Sequence, residues 1–199
     1  EQVHPLIATR GPPGTHDTAI GVATLDAVKA GRTVMLPRFD KRADEPLSSR
    51  DWPLLEGPCD LLLFEGWCVG AKPVPHDLLA QPVNDLERDD DADGIWRDHW
   101  NTHLADETAD LFARIDRLTY RRPPSFEIVH KWRCEQEHSY QAQDGAQRAA
   151  AAMTDEQVAR FIAHYERLTR WIMTEMPGRT DVTIQLDEAR SPISVSVRA

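Results

Sequence analysis

The chain has 199 residues, 33 of them acidic and 23 basic, for a formal net charge of −10. That length suits one domain able to bury a full core without covalent staples. The acidic surplus argues against a nucleic-acid partner held by its phosphates, and no apolar run reaches the roughly 18–20 residues that cross a bilayer.

Residues 11–16, Gly-Pro-Pro-Gly-Thr-His, must turn, because two glycines and two prolines cannot sit in a regular element. Thr15 or Asp17 can then cap a helix that carries Ile20, Leu25 and Val28 and stops at Gly31. Residues 32–38 predict a short strand ending near Pro37, and residues 39–58 a charged, proline-bearing loop. The run 59–64, Cys-Asp-Leu-Leu-Leu-Phe, has almost no alternation and predicts a strand buried on both faces. A proline-bearing and then acidic connection follows over 72–91. Residues 93–113 predict a helix, and 114–120 a weakly alternating strand stopped by Pro123-Pro124. Ser125 can cap a helix with Val129, Trp132, Gln136 and Tyr140 in one stripe, and 141–153 is open between helix and loop. Thr154 and Gln157 make a capping box for the clearest helix in the chain, which runs from Val158 to Met176. Residues 181–186 alternate and predict the last strand. Strands interleaved with helices predict an α/β fold with a mainly parallel sheet flanked by helices.

Ligands of open α/β sheets bind at the carboxyl ends of strands. Glu65-Gly66, closing the run 59–64, therefore offers a carboxylate that could hold Mg²⁺, directly or through water. Arg10, Arg38 and Lys41 sit at turns and strand ends, with Asp40 among them, and point to an anionic substrate. Lys131 and Arg133 have Glu135 and Glu137 at i+4, which predicts a salt-bridged surface; the other reading is a lid that brings Arg133 onto phosphates. His99 and His103 stand at i, i+4 without a third ligand, and Asp89, Asp91, Asp93 and Gly94 match only the front of a calcium loop, since Trp100 stands where its bidentate Glu belongs. The latter reads as a solvated acidic loop capping the next helix. There is no Gly-x-Ser-x-Gly, and the base that Cys68 would need cannot be named. Cys59, Cys68 and Cys134 form no CxxC, which favours a reducing, cytoplasmic setting.

In order along the chain, Arg10-Gly11-x-Pro13-Gly14-Thr15-His16-Asp17, Leu36-Pro37-Arg38-Phe39-Asp40-Lys41, Leu63-Phe64-Glu65-Gly66-Trp67-Cys68-x-Gly70, Trp132-Arg133-x-Glu135-Gln136-Glu137 and His164-Tyr165-Glu166-Arg167-Leu168-Thr169 resemble the D-glycerate 3-kinase-like P-loop kinases. The resemblance runs from about His4 to Asp187. It implies a three-layer P-loop fold and ATP-dependent phosphoryl transfer, with Mg²⁺, to a small hydroxy acid such as D-glycerate. By position, Glu65 resembles the metal-side acid. Arg10, Thr15, His16 and Asp17 resemble part of the acceptor pocket, which Arg38, Asp40 and Lys41 would also line. Arg133 resembles a lid arginine within a lid region at 121–153. The family's opening strand and Gly-rich loop ending in Gly-Lys-Ser/Thr have no counterpart, and Gly11-Pro12-Pro13-Gly14 is no substitute because prolines remove amide donors. With Glu1 in place of Met, this leads to the expectation of a single kinase-like domain, 1–199, that lacks its first βα unit. Two alternatives stand beside an enzyme: a degenerate kinase that binds a small organic acid, and an interaction domain with an uncovered sheet edge.

Overall fold

The computed structural model describes residues 4–40, 43–143 and 153–198. Lys41 and most of the ambiguous stretch 141–153 lie outside the described residues.

Asp17 caps α1 (Thr18–Lys29) by accepting from the Ile20 amide at 3.0 Å, and Gly31, at φ +65°, ends it. The strand expected over 32–38 shrinks to β1 (Val34–Met35), paired antiparallel with β4 (Leu54–Leu55). Between them β2 (Phe39–Asp40) and β3 (Glu45–Pro46) make a small hairpin, closed by Asp44 at φ 54°. The connection 72–91 carries two short helices, α2 (His76–Leu79) and α3 (Asp85–Asp90). The helix expected over 93–113 is broken at Asp106 into α4 (Ile95–Ala105) and α5 (Glu107–Phe112). β5 (Thr119–Arg122) leads to α6 (Glu127–Gln143). The capping box forms as read: Thr154 Oγ1 accepts from the Gln157 amide and Gln157 Oε1 from the Thr154 amide, opening α7 (Asp155–Glu175).

The fold is α/β, and its three-stranded sheet is mixed, with order β5, β6 (Val182–Leu186), β7 (Pro192–Val197). β5 and β6 run parallel with Thr119 opposite Val182, and β6 and β7 run antiparallel. Asp181 fixes the parallel pair by accepting from the Leu118 amide at 2.8 Å. β7 lies past the last strand expected from the sequence. On its far side β5 has no strand partner among the described residues.

The run 59–64 is the main correction. It forms no strand and is exposed, Leu61 at 75% and Leu63 at 84%. A strand exists only through its ladder, and nothing among the described residues pairs with this run.

The larger core packs α4 against α7 through Trp96, Trp100, Leu104, Leu168 and Ile172, with Leu104 fully buried. A smaller cluster joins α6 to α7 through Phe126, Cys134, Val158 and Ile162. Two buried ion pairs tie the 76–91 connection to these helices. Arg167 holds Glu87 with two hydrogen bonds (2.9 and 2.5 Å) and also donates to the Leu78 and Gln81 carbonyls. Arg97 pairs with Asp91 at 3.0 Å, and Asp91 caps α4 by accepting from the Trp96 and Arg97 amides. The acidic loop thus caps the next helix as expected, but Asp91 is buried rather than solvated, because Arg97 supplies a buried countercharge.

Candidate functional site

The turn 11–16 approaches two helices closely. A Cβ on Gly14 (φ +86°) would lie 2.6 Å from the His103 ring on α4, and one on Gly11 (φ +130°) 2.9 Å from the Tyr165 ring on α7. Only glycine accepts both the left-handed backbone and the contact. Thr15 closes the turn on itself, accepting from the Gly11 amide (2.9 Å) and donating to the Pro12 carbonyl (2.7 Å). Asp17 is spent on capping α1. Thr15 and Asp17 therefore shape the turn.

Arg10 stands at its edge. Its guanidinium lies 3.7 Å from the centre of the Phe39 ring and 3.2 Å from the Asp44 carboxylate, which brings the hairpin 39–46 to the turn. Burial and the Arg10 charge together hold His16 below the usual histidine range. Arg38 is exposed on the strand side of this hairpin, and Asp40 Oδ1 accepts from the Ala43 amide at 3.3 Å.

Glu65 and Arg133 belong to a different region. Both line a cleft of about 1340 Å³ that runs between the 60–67 segment and the open side of β5. Its walls include Leu63, Trp67, Tyr120, Ile162 and Tyr165. Glu65 is exposed. Arg133 pairs with Glu137 at 2.5 Å and donates to Gln136 Oε1 at 2.7 Å, while its Nε is buried without a partner. The i+4 pair of Arg133 thus forms. The i+4 pair expected for Lys131 does not: Lys131 goes to Glu188 and Glu135 to Arg190, because the β6–β7 hairpin packs on α6 and offers closer partners.

Tyr165 joins the two groups, touching Gly11 on one side and the cleft on the other. Sequence reasoning gave it no role. The signal was there in part: an aromatic inside a quoted motif, one turn from Phe161 on the apolar stripe of α7. Burial pushes the Cys68 thiol up to about 11, so it stays protonated and is no nucleophile at neutral pH. His103 Nδ1 lies 2.5 Å from Glu107 Oε1, and among the described residues no third metal-ligating side chain joins His99 and His103.

Magnesium can be tested against these residues. Among the described residues no three His, Cys, Asp or Glu side chains cluster as metal ligands. Mg²⁺ keeps several waters and needs only one or two carboxylates beside substrate phosphates. Glu65, exposed on the rim of a cleft that Asp60 and Asp116 also line, fits such a water-rich site. The phosphates of ATP do not find a cradle among the described residues: the Gly11 and Thr15 amides bond within the 11–16 turn, Pro12 and Pro13 have no amide hydrogen to offer, and no Gly-Lys-Ser/Thr occurs in the sequence.

Burial also lowers His164, whose Nδ1 faces the Arg160 and Phe161 carbonyls (3.1 and 3.2 Å) and whose Nε2 is 3.2 Å from Thr9 Oγ1. His16 and His99 are lowered too, the latter by burial and the neighbouring His103. An unfolded histidine takes its proton near pH ~6.5, and these take theirs later. Below that value the unfolded chain binds more protons, so stability falls as pH drops. The Tm is expected to fall between pH 7.5 and 5.5 by scanning fluorimetry, and less steeply in His164→Gln; equal slopes would remove His164 from the account.

No protein-family model matches the chain. It is 31% identical over 204 residues to the chloroplastic D-glycerate 3-kinase of Arabidopsis thaliana, across 94% of this chain and 41% of that protein. The chain is homologous to D-glycerate 3-kinase and to kinases related to it. It spans less than half the length of the plant relative. "Probable ATP-dependent kinase TDA10" of Saccharomyces cerevisiae is 27% identical, over 97% of this chain and 68% of that protein. The fold matches the D-glycerate 3-kinase from Cryptococcus neoformans, with a TM-score of 0.74, 24% identity, and 98% of this chain and 71% of that one covered. No described helix is long and apolar enough to cross a membrane.

Proposed function

We propose that this chain is the acceptor and lid portion of an ATP-dependent kinase for a small hydroxy acid such as D-glycerate, working in the cytoplasm with Mg²⁺. The observation that carries the reading is the convergence on Tyr165 of two groups: the Arg10–His16 turn, and the cleft that holds Glu65 and Arg133. Arg10 supplies a planar, permanent cation for the acid's carboxylate, assisted by Arg38, Asp40 and Lys41 around the hairpin. His16, kept neutral beside Arg10, can accept a hydrogen bond from a substrate hydroxyl. Arg133, on α6, belongs to a lid over 121–153 and trades its Glu137 partner for phosphate charge. Mg²⁺ would supply charge neutralisation at Glu65.

The sequence encodes no Gly-Lys-Ser/Thr loop for the donor's phosphates. The cleft beside β5, walled by the unpaired run 61–64, suits a further strand that carries one. Residues 1–199 are accordingly expected to bind D-glycerate by calorimetry and to show no ATP-dependent phosphorylation of it. Absence of binding to any small hydroxy acid overturns the acceptor reading, and turnover by this chain alone overturns the missing cradle. The exposed leucines at 61–63 favour a second reading, an interaction domain that associates through its uncovered edge. Sedimentation of the same sample separates the two: that reading requires concentration-dependent oligomers.

A further inference from the structure

Tyr165 does more than fill space. Its hydroxyl donates to the Arg10 carbonyl at 2.9 Å, and its ring fills the position a Cβ of Gly11 would need. Trp67, two residues past Glu65, meets the same ring edge-on, with centroids 4.8 Å apart and planes at 87°. The Trp67 indole donates to Thr169 Oγ1 (2.9 Å), and that hydroxyl donates to the Tyr165 carbonyl (2.7 Å), so the indole is anchored to the same turn of α7. Phe161 packs on Tyr165 with centroids 5.0 Å apart, and the Arg133 guanidinium lies 5.4 Å from the Phe161 ring. The phenol therefore stands between the two cations assigned to the substrate and to the phosphates. Burial raises its pKa against the opposing pull of Arg133 and Arg10, so it remains a donor at neutral pH.

We propose that Tyr165 is a positioning residue: its hydroxyl fixes the Arg10 backbone and its ring fixes Trp67, setting the spacing between the anion-binding turn and Glu65. The inference rests on the acceptor reading given above. No group of Tyr165 has to touch the substrate for this; it acts through Arg10 and Trp67. Beside the Tyr165–Arg10 bond only the Thr9 hydroxyl, 3.2 Å from His164 Nε2, ties the neighbouring backbone to α7 among the described residues, and a turn rich in proline and glycine has few hydrogen bonds of its own to keep its place.

Tyr165→Phe removes one hydroxyl and leaves every ring contact. It is expected to raise the Kd for D-glycerate about tenfold, the size of one lost hydrogen bond at the strong end of the neutral range. It should also speed amide hydrogen exchange in a peptide covering residues 10–16, with the Tm moving by no more than about 2 °C. Gly11→Ala, which forces the ring aside, is expected to act in the same direction and further. A lower Tm with unchanged Kd and unchanged exchange at 10–16 would make Tyr165 a packing residue and overturn the proposal, as would no change in any readout. If the unaltered protein binds no D-glycerate, the acceptor reading fails, and exchange at 10–16 decides Tyr165 by itself: unchanged exchange in Tyr165→Phe overturns it. Should Gly11→Ala not fold, Tyr165→Phe still decides.

Discussion

Arg167→Ala is expected to destabilise the fold by about 3–5 kcal/mol, a large share of a domain's total stability. The side chain is buried, and its guanidinium meets four acceptors: both oxygens of Glu87 and the carbonyls of Leu78 and Gln81. Among the described residues the Glu87 carboxylate accepts elsewhere only from the Val83 amide, so the substitution strands a buried carboxylate. The loss would be read as a lower midpoint in urea, with the slope unchanged. Pairing Arg167→Met with Glu87→Leu removes both charges and should recover most of the loss, since the damage comes from the unpaired ion rather than from the missing attraction. A midpoint unmoved in Arg167→Ala would show that the pair does not hold the 76–91 connection in place.

The second large effect concerns binding. Arg10→Gln is expected to weaken D-glycerate by about ten- to a hundredfold, the range of one charge-assisted contact of roughly 1.5–3 kcal/mol. Stability should barely move. The Arg10–Asp44 pair is solvent-facing and worth little, and stacking on Phe39 adds at most about 1 kcal/mol. A second readout comes from His16. Arg10 lowers its pKa, so losing the cation should raise it, and an NMR titration of the ring measures this directly. A raised His16 pKa with unchanged D-glycerate affinity would leave the local geometry standing and remove Arg10 from the substrate.

The parts of the fold legible in the sequence were those decided by neighbours along the chain. The Thr154–Gln157 box, the helical stripe of α7 and the α1 cap all act over three or four residues; the first two formed as read, and Asp17 is the one of the two cap candidates that serves. The run 59–64 shows the limit. Its leucines announce apolar surface, but a strand also needs a partner, and composition carries no information about which segment lies alongside. β7 was legible and passed over: Ile193, Val195 and Val197 alternate with serines behind Pro192, a pattern suited to an edge strand. Asp91 was misjudged because its burial depends on Arg97 turning inward, which no local pattern shows. At the site, the glycine- and proline-rich turn and Arg10 beside it stood out by composition, whereas Thr15, His16 and Asp17 entered as site residues only through the family resemblance. Tyr165 did not acquire a role, because its meeting with Gly11 joins residues 154 positions apart.

One helix carries both of the demands weighed above. Arg167 and Tyr165 are two positions apart on α7, one turned to Glu87 and the other to the 11–16 turn. Each residue of an α-helix advances the direction of its side chains by about 100°. A single insertion or deletion between the capping box and Tyr165 would therefore swing both away from their partners at once, where a point substitution removes only one. Variation in length belongs in the connections of this chain, such as the one that carries the short 3-10 turn Ser49–Asp51, while the stretch from Thr154 to Arg167 can exchange its exposed residues but not change in count.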